Sequence, residues 1–216
     1  NITKVKVGTF YILEDWNWKS ISSSEKLSVS NEFLIENQDK DWDWEQLSKG
    51  LKIVIDKELL EKTKQRAWDW GCLSSNPALR ITLADLLSLE ISNWDWIALS
   101  ERNDIEFDNE SIITTIDKPQ ITWDWSLLSS RKDLIYDENL IFKIVQKPMD
   151  WKCVSSMNTF VPSVNVLSKI SSYDLDWDAI SQNKSLTKDV LWPYRDKLNW
   201  HYISQSESFQ KMGAEF

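Results

Sequence analysis

One recurring motif constrains the fold of this chain more than any other feature. An apolar residue, an Asp or Asn, and then a Trp occur together about every 26 residues. The last Trp of each motif, here termed the origin Trp, is followed by an aliphatic residue at the third position and by Ser at the fourth. The origin Trp residues are Trp18, Trp44, Trp70, Trp96, Trp125, Trp151, Trp177 and Trp200. A period of this length indicates tandem structural units rather than a single globular fold.

Each motif predicts the start of a helix. The Asp or Asn before the origin Trp carries the side-chain acceptor that an N-cap position favours. The apolar residue before this cap and the aliphatic residue after the origin Trp have the spacing of a hydrophobic staple. The predicted capping carboxylates are Asp43, Asp69, Asp95, Asp124, Asp150 and Asp176. We therefore expect the origin Trp residues to form the structural core.

A second helix is predicted in each repeat. Residues with capping side chains recur twelve positions after the origin Trp in the first six repeats, and Thr187 takes this role in the seventh. Between the two helices lies a turn and a three-residue extended piece that could add one very short parallel strand per repeat. Helices this short are marginal alone. We therefore expect a mainly α fold of helix-turn-helix repeats stacked as an α-solenoid, a rod roughly 65 to 80 Å long.

The motif also divides the chain. Residues 15–209 are predicted to form the repeat array, with eight repeats of which the last is truncated. Residues 1–14 carry an alternating apolar pattern and are interpreted as the remnant of a preceding repeat or as an N-terminal cap. Residues 210–216 are left as a C-terminal tail. Among the 14 Trp residues, Trp192 is the one that lies outside the motif.

Two segments, KSLTKDVLWPYRDKLNWHYIS (184–204) and SSNPALRITLADLLSLEISNWDWIALS (74–100), resemble the tandem Asp-Trp repeats of uncharacterised proteins from large DNA viruses and some bacteria. The similarity covers residues 15–209. It implies a repeat fold and no defined activity, so no catalytic residue follows from it. The chain departs from the pattern at Met149, Leu175 and Leu198, where the first Trp of the motif is replaced by another large apolar residue.

The residue inventory argues against an enzyme. His201 is the single His, which excludes a His-based triad or a site with several His ligands within the chain. Cys72 and Cys153 lie three repeats apart, so we expect reduced thiols. The Asp ladder could suggest calcium and the Trp ladder could suggest carbohydrate or nucleic-acid stacking, but capping and core packing explain both. We predict no catalytic residue, no metal, no cofactor and no small-molecule substrate.

If the repeated positions are structural, function is expected at the positions that vary. The polar turns five to eight residues after each origin Trp would line one edge of a stacked array. Along that edge Arg102, Arg131, Lys132 and Lys184 form a basic stretch, predicted as the partner-binding surface, although a solvated edge would look the same. We therefore expect a tryptophan-rich scaffold for protein recognition or spacing within a larger assembly. The alternative is a substrate-guiding module of a nucleic-acid-processing, possibly defence-related, enzyme whose catalytic domain lies outside this chain.

The charge of the chain bears on its partners and its compartment. A net charge of −9 disfavours binding to nucleic acid, and no apolar run is long enough for a membrane span. No signal peptide is recognisable. Together with the expected reduced thiols, these features predict an intracellular, cytoplasmic protein that binds another protein and no membrane.

Overall fold

A computed structural model describes residues 16–24, 28–51, 53–205 and 209 of the protein. Within these ranges the chain is mainly α-helical, as the double-cap pattern predicts. The chain forms two compact units, an N-terminal unit, Asn1–Ile105, and a C-terminal unit, Glu106–Phe216. The predicted N-terminal remnant, residues 1–14, and the predicted tail, residues 210–216, lie outside the described residues.

The helices of the described residues are short and follow the motif spacing. The seven helices of the N-terminal unit are α1 (Trp18–Ser22), α2 (Asn31–Glu36), α3 (Trp44–Lys49), α4 (Lys57–Thr63), α5 (Trp70–Ser75), α6 (Leu83–Ser88) and α7 (Trp96–Glu101). The eight helices of the C-terminal unit are α8 (Asn109–Thr115), α9 (Trp125–Leu128), α10 (Glu138–Ile144), α11 (Trp151–Ser156), α12 (Val164–Ile170), α13 (Trp177–Gln182), α14 (Lys188–Leu191) and α15 (Trp200–Gln205). Every origin Trp is therefore the first residue of a helix.

Capping side chains explain where the helices begin. All six motif Asp residues accept a hydrogen bond from a backbone N–H in the first turn of the helix that follows. Asn17 does the same for α1. The second helices α2, α4, α6, α8, α10 and α12 have side-chain caps as well, whereas Thr187 makes no such bond to α14. The caps satisfy backbone donors that have no partner within the helix.

Like helices of successive repeats pack against each other within each unit. In the N-terminal unit the first helices α1, α3, α5 and α7 contact one another in sequence, and α2 contacts α4. In the C-terminal unit α11, α13 and α15 form one such row, and α8, α10 and α12 form another. Because no helix of the described residues is longer than seven residues, these rows supply the apolar contacts that stabilise the helices.

The predicted extended piece pairs at two places in the described part of the chain. Strands β1 (Ile55–Asp56) and β2 (Leu79–Arg80) of the N-terminal unit are parallel, with Ile55 opposite Leu79. In the C-terminal unit a single parallel bridge joins Tyr136 and Phe160. Ile55, Leu79, Tyr136 and Phe160 are buried, whereas the second pair of the β1–β2 ladder joins Asp56 and Arg80. Both pairings join the residue eleven positions after one origin Trp to the residue nine positions after the next.

The origin Trp residues are packed to different degrees. Trp18, Trp44, Trp96 and Trp151 are buried, while Trp70, Trp125 and Trp177 are half-buried. Trp200 is 46% exposed. The expectation that every origin Trp belongs to the core is therefore wrong for Trp200. Its indole N–H donates to the carbonyl of Arg195 at an exposed position.

Candidate functional site

The Ser of the motif connects consecutive repeats. The buried Ser48 hydroxyl donates to the carbonyl of Trp44 at 2.8 Å and accepts from the backbone N–H of Asp69 at 3.0 Å. The same contact recurs within the two units, where a motif Ser hydroxyl accepts from the backbone N–H that lies 18 or 21 residues later in the chain. The hydroxyls are those of Ser22, Ser74, Ser129, Ser155 and Ser181. An apolar side chain at this position would leave the N–H without this acceptor. The motif Ser therefore has a structural role.

The aromatic residues of the motif also form contacts between repeats. The origin Trp18 ring lies 4.8 Å from the ring of Trp42, and Trp44 lies 4.9 Å from Trp68, both edge to face. Where the first Trp of the motif is replaced by Leu, a nearby Tyr supplies the ring. Tyr173 lies 5.5 Å from Trp151, and Tyr194 lies 5.7 Å from Trp177. At these positions the Trp rings therefore make packing contacts between repeats.

The position six residues after the origin Trp holds side chains that reach back to the preceding repeat. Asn76 donates from its amide to the carbonyls of Ser48 and Gly50 at 2.6 and 3.0 Å. Arg102 donates to the carbonyl of Asn76, which is equivalent to that of Gly50, and to the carbonyl of Leu79, both at 2.9 Å. The amide and guanidinium groups therefore satisfy backbone acceptors inside the fold.

The predicted basic edge is consequently wrong for two of its four residues. Arg102 is 8% and Arg131 is 4% exposed. Arg131 donates through two nitrogens to Asp133, at 2.9 and 2.5 Å, and its guanidinium lies 3.6 Å above the Phe107 ring. Lys132 and Lys184 are exposed. Both guanidinium groups are buried and make hydrogen bonds inside the fold, so neither belongs to an exposed basic surface.

These pairs also determine the electrostatics of the turns. Arg102 donates two hydrogen bonds to Asp104, at 3.0 and 2.6 Å, and these lower the pKa of that carboxyl. Burial raises the pKa of Asp133, but the hydrogen bonds from Arg131 and from the Phe107 N–H outweigh it, so the net shift is downward. Both carboxylates are therefore held in the charged form that their Arg partners need.

A different surface, on the second helices of the C-terminal unit, combines exposed aromatic and basic side chains. Phe142 of α10 is 41% exposed, and the Lys169 ammonium of α12 lies 5.7 Å from the centre of its ring. A hollow of about 410 Å³ between these helices is lined by Phe142, Val145, Gln146, Lys169, Ser172 and Tyr173. An adjoining hollow of about 590 Å³ shares Phe142 and is lined by Glu138, Asn139, Phe142 and Lys143. We call the two hollows together the aromatic-basic groove.

The fold itself does not require an aromatic residue at this position. Phe142 stands five residues after the cap Asp137. The equivalent positions of the other repeats hold the half-buried Ile35, Leu87 and Ile113, the exposed Glu61 and Ser168, and the exposed Trp192. Exposing a large apolar ring to water has a free-energy cost that a polar residue at this position would avoid. Phe142 is therefore a candidate binding residue.

Tyr173 gives the groove a fixed wall. Its hydroxyl donates to the carbonyl of Val145 at 3.1 Å, and its ring packs on Trp151. With the hydroxyl and the ring both engaged, the side chain is held in one orientation while remaining 40% exposed. The wall opposite Phe142 is thus preorganised.

The sequence pattern did not predict the aromatic-basic groove, because the second helices were interpreted only as packing elements. Two signals were available. Phe142 and Trp192 are the two aromatic residues five positions after the second cap, where the other repeats have an aliphatic or a polar residue. Trp192 is 75% exposed, with the Arg195 guanidinium 4.8 Å from its ring. The two exposed rings thus occupy the same position of their repeats, but only Phe142 lines the groove.

The described residues provide no assembled catalytic or metal centre. No group of three or more His, Cys, Asp or Glu side chains is placed to hold a metal ion in the part of the chain that the structure describes. His201 is exposed and lies 3.3 Å from the Gln205 amide. Cys72 and Cys153 are free thiols. Burial raises the pKa of Cys153, and a hydrogen bond to Asp69 raises that of Cys72, so both thiols are poorly ionised.

Comparison with known proteins adds no assignment. No protein-family model, curated protein or solved structure matches the chain. The resemblance to tandem Asp-Trp repeats therefore stays a prediction. None of the helices within the described ranges combines the length and the hydropathy that a bilayer crossing needs.

Proposed function

We propose that this protein is a non-enzymatic repeat scaffold that binds a partner protein through the aromatic-basic groove. The observation that carries the proposal is the Phe142 ring, which is 41% exposed and lines the groove between α10 and α12 together with Lys143 and Lys169. Aromatic side chains, Phe among them, are enriched in protein interfaces relative to the rest of the surface. The motif positions, in contrast, are occupied by caps and contacts between repeats.

The stacking of like helices supports a second part of the proposal, namely that the repeats form an α-solenoid. Such an array presents equivalent helix faces side by side, and each face can vary without disturbing the stack. Small-angle X-ray scattering tests this part directly. An elongated particle with a maximum dimension near or above the roughly 65 to 80 Å expected for eight helix layers supports it. The scattering profile of a near-spherical particle would contradict it.

Photo-crosslinking tests the binding function. Benzoylphenylalanine placed at Phe142 should form a discrete protein adduct in an extract of the producing cells. The matched control carries the probe at Glu61, the equivalent exposed position of the N-terminal unit. Excess wild-type chain should suppress the adduct, and excess Phe142→Ala chain should not.

Three outcomes would count against this function. The first is an absence of any adduct at position 142, and the second is equal adducts at positions 142 and 61. The third is an adduct that nuclease removes. This last result would favour the alternative, a module that guides a nucleic-acid strand, because aromatic rings beside cations also stack on bases.

A further inference from the structure

The charge of the aromatic-basic groove is opposite in sign to that of the whole chain. Lys143 and Lys169 line it, whereas the chain carries a net charge of −9. The one acidic side chain of the groove, Glu138, already accepts hydrogen bonds from Asn165 at 3.2 Å and from Ser163 at 3.5 Å. Two exposed ammonium groups against this one carboxylate leave the groove with a net positive charge.

The apolar part of the groove suits one large side chain rather than an extended apolar surface. Phe142 and Tyr173 provide two aromatic walls, and Val145 contributes an aliphatic surface between them. The amide of Gln146 and the hydroxyl of Ser172 complete the lining with polar groups. The hollow thus combines aromatic and aliphatic surface with polar groups, and an anchoring side chain of a partner could contact both.

We propose that the aromatic-basic groove binds an acidic protein segment that carries one large apolar side chain. The apolar side chain enters between Phe142 and Tyr173, and carboxylates on either side of it pair with Lys143 and Lys169. This inference rests on the proposed function and names the chemistry of its partner. A single-stranded nucleic acid is the less favoured ligand, because nucleic-acid affinity comes from many phosphate contacts and the groove offers two lysines on an acidic chain.

The experiment uses the full chain and three fluorescein-labelled peptide pools. In the first pool a central Leu, Phe or Trp is flanked by Glu residues. The second replaces Glu by Lys, and the third keeps Glu but replaces the central residue by Ala. Fluorescence anisotropy measures binding, with an oligothymidylate of comparable length as the nucleic-acid probe. We expect the first pool to bind at least about tenfold more tightly than either of the others.

Two variants locate the binding site. The double variant Lys143→Glu and Lys169→Glu should weaken binding of the first pool by at least about tenfold and remove most of its salt dependence. Phe142→Ala should weaken it by a similar factor. Trp192→Ala is the matched control, because Trp192 is an exposed ring with a cation over it that does not line the groove, and its affinity should stay unchanged. Circular dichroism verifies that each variant is folded.

The remaining outcomes overturn the inference. Equal binding of the Glu and Lys pools would remove the charge argument, and equal binding of the Ala pool would remove the anchor. Loss of binding in Trp192→Ala would place the site elsewhere, and oligothymidylate binding that the Lys variants abolish would make the ligand a nucleic acid. If no pool binds while crosslinking at position 142 still captures a protein, the partner chemistry is wrong and the proposed function stands.

Discussion

The Ser residues of the motif offer the sharpest test of how the repeats are held together. Ser74 is fully buried; its hydroxyl donates to the carbonyl of Trp70 at 2.7 Å and accepts from the N–H of Asp95 at 2.9 Å. Ser74→Ala removes both hydrogen bonds with little change in volume. The backbone N–H of Asp95, the N-cap residue of α7, then loses the Ser74 hydroxyl as its acceptor. The neighbouring Ser75 is exposed, so Ser75→Ala is the matched control within the same helix.

The magnitude follows from the two hydrogen bonds. A typical intramolecular hydrogen bond contributes about 0.5 to 1.5 kcal/mol, and a donor left without a partner away from water costs about 1 to 3 kcal/mol. The carbonyl of Trp70 can still accept within the helix, so the unpaired Asp95 N–H dominates. We therefore expect Ser74→Ala to lower the free energy of unfolding by about 2 to 3 kcal/mol. For a chain of this size, the thermal midpoint should fall by roughly 4 to 12 °C.

Urea unfolding followed by circular dichroism and by Trp fluorescence measures this difference. Coincidence of the two signals checks that one transition is being observed, which a repeat protein does not guarantee. Ser75→Ala should change the free energy of unfolding by no more than about 0.5 kcal/mol. If Ser74→Ala were as stable as Ser75→Ala, the Ser hydroxyl would not hold consecutive repeats together, and its recurrence would need another explanation.

Four further predictions follow from the same contacts. Trp96→Ala should lower the free energy of unfolding by about 3 to 5 kcal/mol because the ring is 4% exposed, whereas Trp192→Ala should be nearly neutral in the same urea titration. Arg131→Glu should lower it by at least about 3 kcal/mol, because it puts a carboxylate beside that of Asp133 at a buried position that held a cation, while the adjacent exposed Lys132→Glu should leave the thermal midpoint almost unchanged. Because the pKa of Asp104 is lowered, its carboxylate stabilises the fold above the unfolded-state pKa of about 3.9, and this contribution is lost as the pH falls through the folded-state pKa. The unfolding midpoint of Asp104→Asn should therefore depend less on pH below about 4 than that of the wild type. Calcium or a chelator should leave the melting temperature unchanged, since the described carboxylates form no metal-binding cluster; a rise of several degrees with calcium would contradict the capping role of the Asp ladder.

Much of the local structure could be predicted because its causes are local. A capping carboxylate and the N–H groups that it satisfies lie within three residues of each other, as Asp43 and Gln46 do. The spacing of such residues is therefore sufficient to locate the start of a helix. The same holds for the second helices, which begin where Ser30 or Asp108 supplies the cap. These interactions depend very little on how distant parts of the chain are arranged.

The candidate site could not be predicted in the same way. Arg102 and Lys132 look equivalent as basic residues in polar turns, yet Arg102 is buried because backbone carbonyls 23 and 26 residues upstream lie within reach of its guanidinium. Phe142 and Leu140 look equivalent as apolar residues of one helix, yet only Leu140 is fully buried. Which face of a helix is covered depends on its neighbours, and sequence spacing alone does not specify them.

The sequence by itself thus determined the repeat length, the helix starts, the mainly helical class and the identity of the capping residues, because each of these follows from interactions within one or two turns of chain. The tertiary structure alone decided that Ser pairs with the cap of the next repeat, that the turn arginines are internal, and that an aromatic-basic groove opens between α10 and α12. Those features arise from contacts between residues about one repeat apart, whose geometry is set only when the repeats pack together.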